Sequence, residues 1–227
     1  MMKNKLMWII MAVSVIATAA VVGFLPDTIP MHFDITGAVD RFGSKYEIFL
    51  FPAINIVFLV INFISDKIYK KQLSTLSDEK KIAEIKNNMK IMPVITIVGM
   101  LTFMLMGVGF VFFILTSEDV STSVMPPKLS NIVGIALGIL LAVLGNFMPK
   151  ARKNALFGLR TPWSMKNEKT WTLSNRFAGF VMFISGILMI AVSLIFKGMV
   201  IVWGIMGVLL AATILSIVYS YVISRKY

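Results

Sequence analysis

The chain contains no cysteine, and this absence excludes disulfide bridges, thiolate metal sites, cysteine nucleophiles and lipidation at cysteine. Charged residues are also scarce. They make up 15% of the 227 residues, while 58% are hydrophobic, whereas about a quarter of a soluble domain is charged. The charges lie between long stretches that have none. This distribution predicts an all-α polytopic membrane protein, because a transmembrane β-barrel shows short alternating segments instead.

Six apolar stretches are long enough to cross the hydrocarbon layer, which takes about 20 residues in a helix. None of them contains a charged residue. The predicted spans are Leu6–Leu25, Ile48–Ile64, Ile91–Thr116, Asn131–Met148, Phe177–Phe196 and Met199–Ile223. The second is the shortest, and its Asn55 and Asn62 share one helical face because they are seven residues apart. We expect that face to meet neighbouring helices rather than lipid.

The basic residues indicate how the spans are oriented. Most Lys and Arg residues lie in the N-terminus, the connections 65–90 and 149–176, and the C-terminus, while the alternate connections carry few. Basic residues stay on the cytoplasmic side of a membrane. The sequence therefore predicts that both termini are cytoplasmic (N-in/C-in) and that the loop after the first span lies outside.

The first apolar stretch has an alternative interpretation. Lys3 and Lys5 precede an apolar run and the triplet Ala17-Thr18-Ala19, a pattern typical of a cleaved secretory signal. The run continues to Leu25, which favours a spanning helix. Cleavage would leave five spans without inverting the others.

The composition of the connection 65–90 predicts a basic amphipathic linker. We expect Ser77 to cap a helix that carries Ile82, Ile85 and Met89 on one stripe. The linker either faces anionic lipid or docks a cytoplasmic partner. The overall charge of +11 is accounted for by such loops and by lipid headgroups. Since no nucleic-acid-binding module is present, we expect no direct nucleic-acid partner.

Glycines indicate close helix packing in the second half of the chain. Gly134 and Gly138 in the fourth span form a pair of small residues four apart, and Gly179 and Gly186 lie on one face of the fifth span. Lys197-Gly198 is the whole predicted connection between the last two spans, so these spans should form a tight antiparallel pair.

The first outer loop contains candidate functional residues. Pro26 and Pro30 exclude a regular helix, and Gly37 provides a turn. Three interpretations remain open: a compact loop held by hydrogen bonds and ion pairs, a ligand site, or a metal site, although the potential metal ligands lack typical spacing. The candidates are Pro30, His32, Gly37, Asp40 and Lys45.

The segment 146–176 is unusually rich in Gly, Pro, Trp, Asn and basic residues for a membrane protein. Pro149 should end the fourth span, and Ser164 or Asn167 should cap a short helix that runs through Trp171. We predict that Arg160 and Trp163 hold the segment in one conformation. A basic surface loop anchored by headgroups is the alternative. The candidate site residues are Asn146, Pro149, Asn154, Gly158, Arg160, Thr161, Pro162, Trp163, Trp171, Asn175 and Arg176.

The run Gly158-Leu159-Arg160-Thr161-Pro162-Trp163, with the flanking Asn, Pro and Trp residues of the segment, resembles the signature of the SdpI family. The outer loop, with Ile29-Pro30, His32, Gly37, Asp40 and Ser44-Lys45, resembles a domain of unknown function that often precedes that signature. Together the two resemblances cover nearly the whole chain. They imply three regions. These are an N-terminal helical hairpin with a Pro-rich outer loop (1–66), the basic cytoplasmic linker (67–90) and an SdpI-like transmembrane region (91–223).

The resemblance implies an immunity protein in the cell membrane of a Gram-positive bacterium. Such a protein would protect the cell from a secreted toxic peptide and would signal by holding an ArsR-type repressor at the membrane. Anionic lipids would be further partners, and no cofactor or catalytic activity is expected. The alternative from another functional class is a transporter or channel. The uncharged spans speak against an ion-coupled carrier, which usually keeps ionisable groups within its spans.

Overall fold

A computed structural model describes residues 2–117, 125, 127–154 and 156–227. Within these residues six long helices account for most of the structure. They are α1 (Met2–Val21), α2 (Leu50–Thr75), α3 (Glu79–Thr116), α4 (Pro127–Phe147), α5 (Glu168–Ile195) and α6 (Met199–Lys226). All six are long and apolar enough to cross a membrane. The prediction of six spanning helices is therefore confirmed.

The described helices alternate in direction, so the chain has two distinct ends. Both termini lie at one end, which we call the terminal end. The loops after α1, α3 and α5 lie at the other, which we call the hairpin end. Between α5 and α6 only three residues intervene, and Gly198 there adopts φ +62°. The predicted tight connection between these two helices is confirmed.

The chain is not purely helical, because the loop after α1 forms a β-hairpin. Strand β1 (Thr28–Phe33) pairs antiparallel with β2 (Val39–Ser44), from Thr28 opposite Ser44 to Phe33 opposite Val39. The register shifts on both sides of His32, as at a β-bulge. The six helices agree with the predicted all-α class, but the two strands were not predicted, because proline and glycine obscure the alternating pattern of a strand.

The linker 67–90 contains almost no loop. Helix α2 continues to Thr75 and α3 begins at Glu79, so both helices extend beyond their predicted spans. A helix of the length of α3 measures roughly 57 Å, whereas the hydrocarbon layer is about 30 Å thick. The N-cap of α3 is Asp78, whose carboxylate accepts the N–H groups of Lys80 and Lys81, and not Ser77 as predicted.

Helices α4 and α5 touch backbone to backbone. A methyl group added at Gly138 would lie 2.8 Å from the carbonyl oxygen of Gly186, and one added at Gly186 would lie 2.5 Å from that of Gly138. The predicted close packing at these glycines is confirmed. Asn55 and Asn62 of α2 are buried, so their predicted orientation towards other helices is confirmed as well.

The hairpin packs onto the helices through a hydrophobic cluster. Ile29 of β1 and Leu25 before it are buried against Phe110, Phe113 and Ile114 of α3. Ile48, which follows β2, joins the same cluster together with Leu129 of α4. The hairpin is therefore fixed to one end of α3, and the other end of that helix reaches the segment 146–176.

Candidate functional site

The segment 146–176 begins where α4 stops. The helix ends at Phe147 and is followed by a short 3-10 turn, Met148–Lys150, that contains Pro149. Regular helix resumes at α5, whose N-cap Asn167 accepts the N–H of Thr170 at 2.9 Å while Thr170 Oγ1 accepts the N–H of Asn167 at 3.0 Å. Asn167 is thus confirmed as a cap, but the helix that it starts is the fifth span itself and not a separate short helix.

Trp171 is the central side chain of the segment. It is 1% exposed and is the largest fully buried side chain among the described residues. Its indole Nε1–H donates to the backbone carbonyl of Ala151 at 3.0 Å, so the only polar atom of the indole is satisfied. Trp171 therefore lies inside the segment and not on its surface.

Asn175, one turn further along α5, binds the Gly-Leu-Arg-Thr-Pro-Trp run. Its Oδ1 accepts the N–H of Leu159 at 2.7 Å, and its Nδ2 donates to the carbonyl of Trp171 at 3.0 Å. Gly158 passes directly over both side chains with φ +122°. A methyl group there would lie 2.5 Å from Asn175 Oδ1 and 2.9 Å from the indole ring, so the position requires glycine.

Asn154 closes a tight turn before this run. Its Oδ1 accepts the N–H groups of Leu156 at 2.7 Å and Phe157 at 2.8 Å. Its Nδ2 donates to the carbonyls of Arg152 at 2.7 Å and Phe157 at 3.0 Å. One amide side chain therefore satisfies four backbone groups, which explains why asparagine stands here.

Two neighbouring asparagines of α3 bind the start of the segment, and the sequence analysis missed both. Asn88 accepts the N–H of Arg152 at 3.0 Å and donates to its carbonyl at 3.2 Å. Asn87 donates to the carbonyl of Lys150 at 2.7 Å. The pair of adjacent amides in the charged N-terminal part of α3 was the available signal.

Hydroxyl groups join the middle of the segment to α5 and α6. Ser164 is fully buried; its Oγ donates to the carbonyl of Leu159 at 2.6 Å and accepts the N–H of Thr161 at 2.9 Å. Thr161 Oγ1 lies 2.8 Å from Ser220 Oγ, which accepts from Ser174 Oγ at 3.2 Å. Of these, only Thr161 was predicted as a site residue. The spacing of Ser216, Ser220 and Ser224, four apart on one face of α6, was the signal for the others.

The end of the segment holds the C-terminal turn of α6. Lys166 Nζ donates to the carbonyl of Ser224 at 2.8 Å, and Asn167 Nδ2 donates to that of Tyr227 at 3.2 Å. The ammonium of Lys169 lies 3.5 Å from the centroid of the Tyr227 ring. These donors satisfy carbonyl groups that a helix end leaves without partners. The segment thus ties together the terminal ends of α3, α5 and α6.

Arg160 does not have the predicted role. Its side chain is exposed, and no hydrogen bond or ion pair joins it to any residue in the described part of the chain. Trp163 packs edge-on against Tyr221 of α6, with ring centroids 5.2 Å apart. The prediction that Arg160 fixes the conformation is therefore wrong, because Asn154, Asn175 and the hydroxyl network hold the backbone instead.

Four further predicted site residues lie at the surface of this region. Asn146 is exposed, and its Oδ1 accepts from Lys150 Nζ at 3.3 Å. Pro149, Pro162 and Arg176 are also exposed. The surface of the segment is basic, since seven Lys or Arg residues and one acidic residue lie within 149–176.

The hairpin residues form a compact, paired structure at the opposite end. His32 Nδ1 lies 2.6 Å from Asp40 Oδ1, Arg41 bridges to Glu47 at 2.9 Å, and Lys45 bridges to Asp27 at 2.8 Å. Gly37 adopts φ +90° in the turn, and Pro30 is buried in β1. Within the described residues, no group of three or more His, Cys, Asp or Glu is placed to hold a metal ion.

Two hairpin carboxylates are held in their charged form. The hydrogen bond from the Lys45 ammonium lowers the pKa of Asp27 from its ordinary value. The hydroxyl of Thr36 donates to Asp34 at 2.7 Å, as do the N–H groups of Thr36 and Ala38 at 2.8 and 3.0 Å. These donors lower the pKa of Asp34, since hydrogen bonds to a carboxylate favour its charged form.

Six spanning helices, a hairpin at one end and a satisfied polar segment at the other define a multi-pass membrane protein. Residues 150–220 match the SdpI/YfhL protein family, and residues 9–56 match a domain of unknown function, DUF1648. Over its whole length the chain is 29% identical to the immunity protein SdpI of Bacillus subtilis strain 168, of which it covers 98%. No solved structure matches the chain. The resemblance to the SdpI family found in the sequence is therefore confirmed by the match over residues 150–220 and by the full-length similarity.

The two matched regions coincide with the two structured ends of the molecule. The DUF1648 match covers most of α1, the β-hairpin and the first turns of α2. The SdpI match covers most of the segment, all of α5 and most of α6. Helix α3 contacts both, through Phe110 and Phe113 at the hairpin and through Asn87 and Asn88 at the segment. Helix α3 is thus one continuous element that links the two ends.

Proposed function

We propose that the chain is a membrane immunity protein that protects its cell against a secreted toxic peptide. The observation that carries this proposal is the full-length similarity to a protein named as an immunity protein. The buried polar groups of the segment support it, because they are paired with one another in hydrogen bonds. Such an arrangement suits a binding and signalling surface better than catalysis, and the proposed function requires no cofactor.

The proposal places the hairpin end outside the cell and the terminal end in the cytoplasm of a Gram-positive bacterium. The distribution of charge supports this orientation. The connections and termini at the terminal end hold 18 of the 22 Lys and Arg residues but only five of the 11 acidic residues. Basic loops remain on the cytoplasmic side and attract anionic lipid.

In this proposal α3 passes a signal from the hairpin to the segment 146–176. Binding of the toxic peptide at the hairpin end would shift α3, and Asn87 and Asn88 would transmit the shift to Lys150 and Arg152. The exposed Arg160 would then contact a cytoplasmic repressor of the ArsR type and hold it at the membrane. A signal of this kind needs two arrangements of one packed element, and α3 is the element that both ends share.

The test is deletion of the gene followed by re-expression, with survival measured in co-culture with the parent strain. We expect the deletion strain to die and the re-expressing strain to survive. Equal survival of both strains would contradict the immunity function. Efflux of a fluorescent toxic peptide from vesicles that contain the purified protein would instead identify a transporter.

A further inference from the structure

A cavity of about 320 Å³ lies between α1, α2 and α3 near the hairpin end. Its walls are almost entirely apolar, with Ser14 and Thr18 as the polar exceptions. Pockets for small ligands start at about 300 Å³ and are lined mainly by apolar side chains with a few polar groups. Val108, Phe112 and Leu115 line it and are about half exposed. The cavity therefore opens sideways, to the hydrocarbon layer in the membrane.

The cavity and the β-hairpin form one continuous unit. Ile48 lines the cavity and also packs in the cluster that fixes the hairpin through Ile29. Ser44, the last residue of β2, starts the turn that carries Ile48, and Glu47 completes a reciprocal capping pair with it. A ligand that enters the cavity thus touches the base of the hairpin.

The hairpin region carries a net negative charge above this apolar cavity. Residues 26–49 contain four acidic and two basic residues, and the two basic residues are paired with Asp27 and Glu47. Among the described residues, Asp34 and Asp40 have no basic partner other than His32. Both lie beside the turn of the hairpin, where they attract a cation that approaches from the water.

A polar pair lies at the wall of the cavity, which Ser14 lines and Asn55 supports from behind. Asn55 is completely buried, and its Nδ2 donates to Oγ of the cavity residue Ser14 at 3.3 Å. Its Oδ1 has no hydrogen-bond partner among the described residues, although a buried carbonyl oxygen without a donor is costly. A peptide side chain with an N–H or O–H group can donate to Ser14 Oγ, which lines the cavity, whereas a lipid acyl chain carries no donor.

We propose that this cavity binds the apolar face of a cationic amphipathic peptide, whose basic residues lie against Asp34 and Asp40. The inference rests on the proposed immunity function and names the class of peptide that the protein recognises. Apolar burial supplies the affinity, and the acidic hairpin selects for positive charge. A neutral lipid would gain affinity from apolar burial but would not be attracted by the acidic hairpin.

The first test uses the purified full chain in nanodiscs of phosphatidylcholine, with a fluorescent synthetic amphipathic helix of Leu and Lys as the probe. Ala17→Trp fills the mouth of the cavity, because Ala17 lines it, and should weaken binding about tenfold. Ala19→Trp is the matched control, since Ala19 is equally exposed but faces away from the cavity on the same helix. Asp40→Asn should weaken binding at low salt and have less effect at high salt.

A second measurement does not depend on how these variants fold. A photoreactive phenylalanine analogue at Phe112, inside the cavity, should crosslink to the probe, and the same analogue at the lipid-exposed Trp203 of α6 should not. Equal crosslinking from both positions, or unchanged binding by Ala17→Trp, would overturn the proposal. Crosslinks from Phe112 to phosphatidylcholine that the probe fails to displace would overturn it too, in favour of a lipid site.

Survival separates this inference from the function on which it rests. If the wild-type chain does not restore survival to the deletion strain, the immunity function fails whatever the probe does. If the wild-type chain protects and a folded Ala17→Trp variant protects equally well, the cavity proposal fails and the immunity function stands.

Discussion

Trp171 donates its indole N–H to the carbonyl of Ala151 at 3.0 Å, across 20 residues of sequence. This bond connects the first turn of α5 to the chain immediately after α4. Together with Asn175, which holds Leu159 at 2.7 Å, it makes the segment 146–176 part of the folded bundle. A basic loop anchored only by lipid headgroups would not need these buried contacts.

The first prediction concerns this buried donor. Trp171→Phe should lower the free energy of unfolding by about 1–3 kcal/mol, because it leaves the carbonyl of Ala151 without a donor and removes packed ring atoms. Thermal unfolding in detergent measures the loss. Trp163→Phe is the matched control and should cost less, since Trp163 is only half-buried and its indole makes no hydrogen bond to any described residue. An equal loss in both variants would count against the buried bond.

Asn175→Ala should release the backbone at Gly158 and Leu159. The amide of Asn175 binds the N–H of Leu159 and the carbonyl of Trp171, so its loss removes both hydrogen bonds. The absence of cysteine from the chain permits a clean probe. A single cysteine at the half-buried Phe157 should react faster with a thiol reagent in the Asn175→Ala background. An unchanged rate would show that the turn around Asn154 holds the run without Asn175.

Arg160 provides a way to separate stability from function. Arg160→Ala should change the free energy of unfolding by no more than about 0.5 kcal/mol, as is usual for surface substitutions, but it should reduce protection against the toxic peptide or repressor recruitment. Ser164→Ala is the contrasting variant and should destabilise the protein, because Ser164 is buried in the hydroxyl network. If Arg160→Ala protects as well as the wild-type chain, the exposed guanidinium has no part in signalling.

Gly186→Ala should destabilise the contact of α4 and α5 by about 1–3 kcal/mol, the usual cost of overpacking, because the added methyl group meets the backbone of α4. Gly207→Ala in α6 is the matched control. A methyl group there has no neighbour within 4 Å, so this variant should be neutral or slightly stabilising. Thermal unfolding of the two variants, measured side by side, compares their losses of stability. Equal losses would contradict the close contact at Gly186.

The hairpin should lose stability in acid. The pKa values of Asp27 and Asp34 lie below their ordinary value of 3.8, so the unfolded hairpin binds protons more readily than the folded one. The stability that these carboxylates contribute is complete above about pH 5 and is lost as the pH falls through the lowered pKa values.

Hydrogen exchange at the N–H groups of Thr36 and Ala38, corrected for the intrinsic rate, measures this loss of stability. Protection should fall in acid in the wild-type chain. In Asp34→Asn, which keeps an acceptor but does not titrate in this range, protection should vary less with pH. Identical profiles for the two proteins would contradict the role of Asp34.

The six helices could be predicted because a helix that crosses lipid needs about 20 apolar residues without charge, and six stretches of the sequence meet this condition. The ends were harder to predict. The bulged pairing around His32 breaks the alternation of a strand, and the cap of α3 is one residue later than Ser77. Helix α3 continues from Glu79 through Pro93 into its span, as the apolar stripe of the linker helix led us to expect.

At the candidate site the sequence indicated the right segment but assigned some roles wrongly. Gly158 and Asn154 could be predicted because turns require their chemistry. The roles of Asn88 and Ser220 could not, since each acts through a partner about 60 residues away in the sequence. Arg160 was the most conspicuous residue of the run because of its charge, yet the buried amides and hydroxyls hold the fold.

The orientation of the molecule tests the central claim most directly, and labelling of single cysteines in intact cells measures it. Ile35→Cys places a thiol at the exposed turn of the hairpin, and Arg152→Cys places one on the exposed side of the segment. With a thiol reagent that does not cross membranes, Ile35→Cys should react in intact cells and Arg152→Cys only after lysis. Reaction of Arg152→Cys in intact cells, with Ile35→Cys protected, would contradict the claim that the hairpin senses the outside and the segment reports to the cytoplasm.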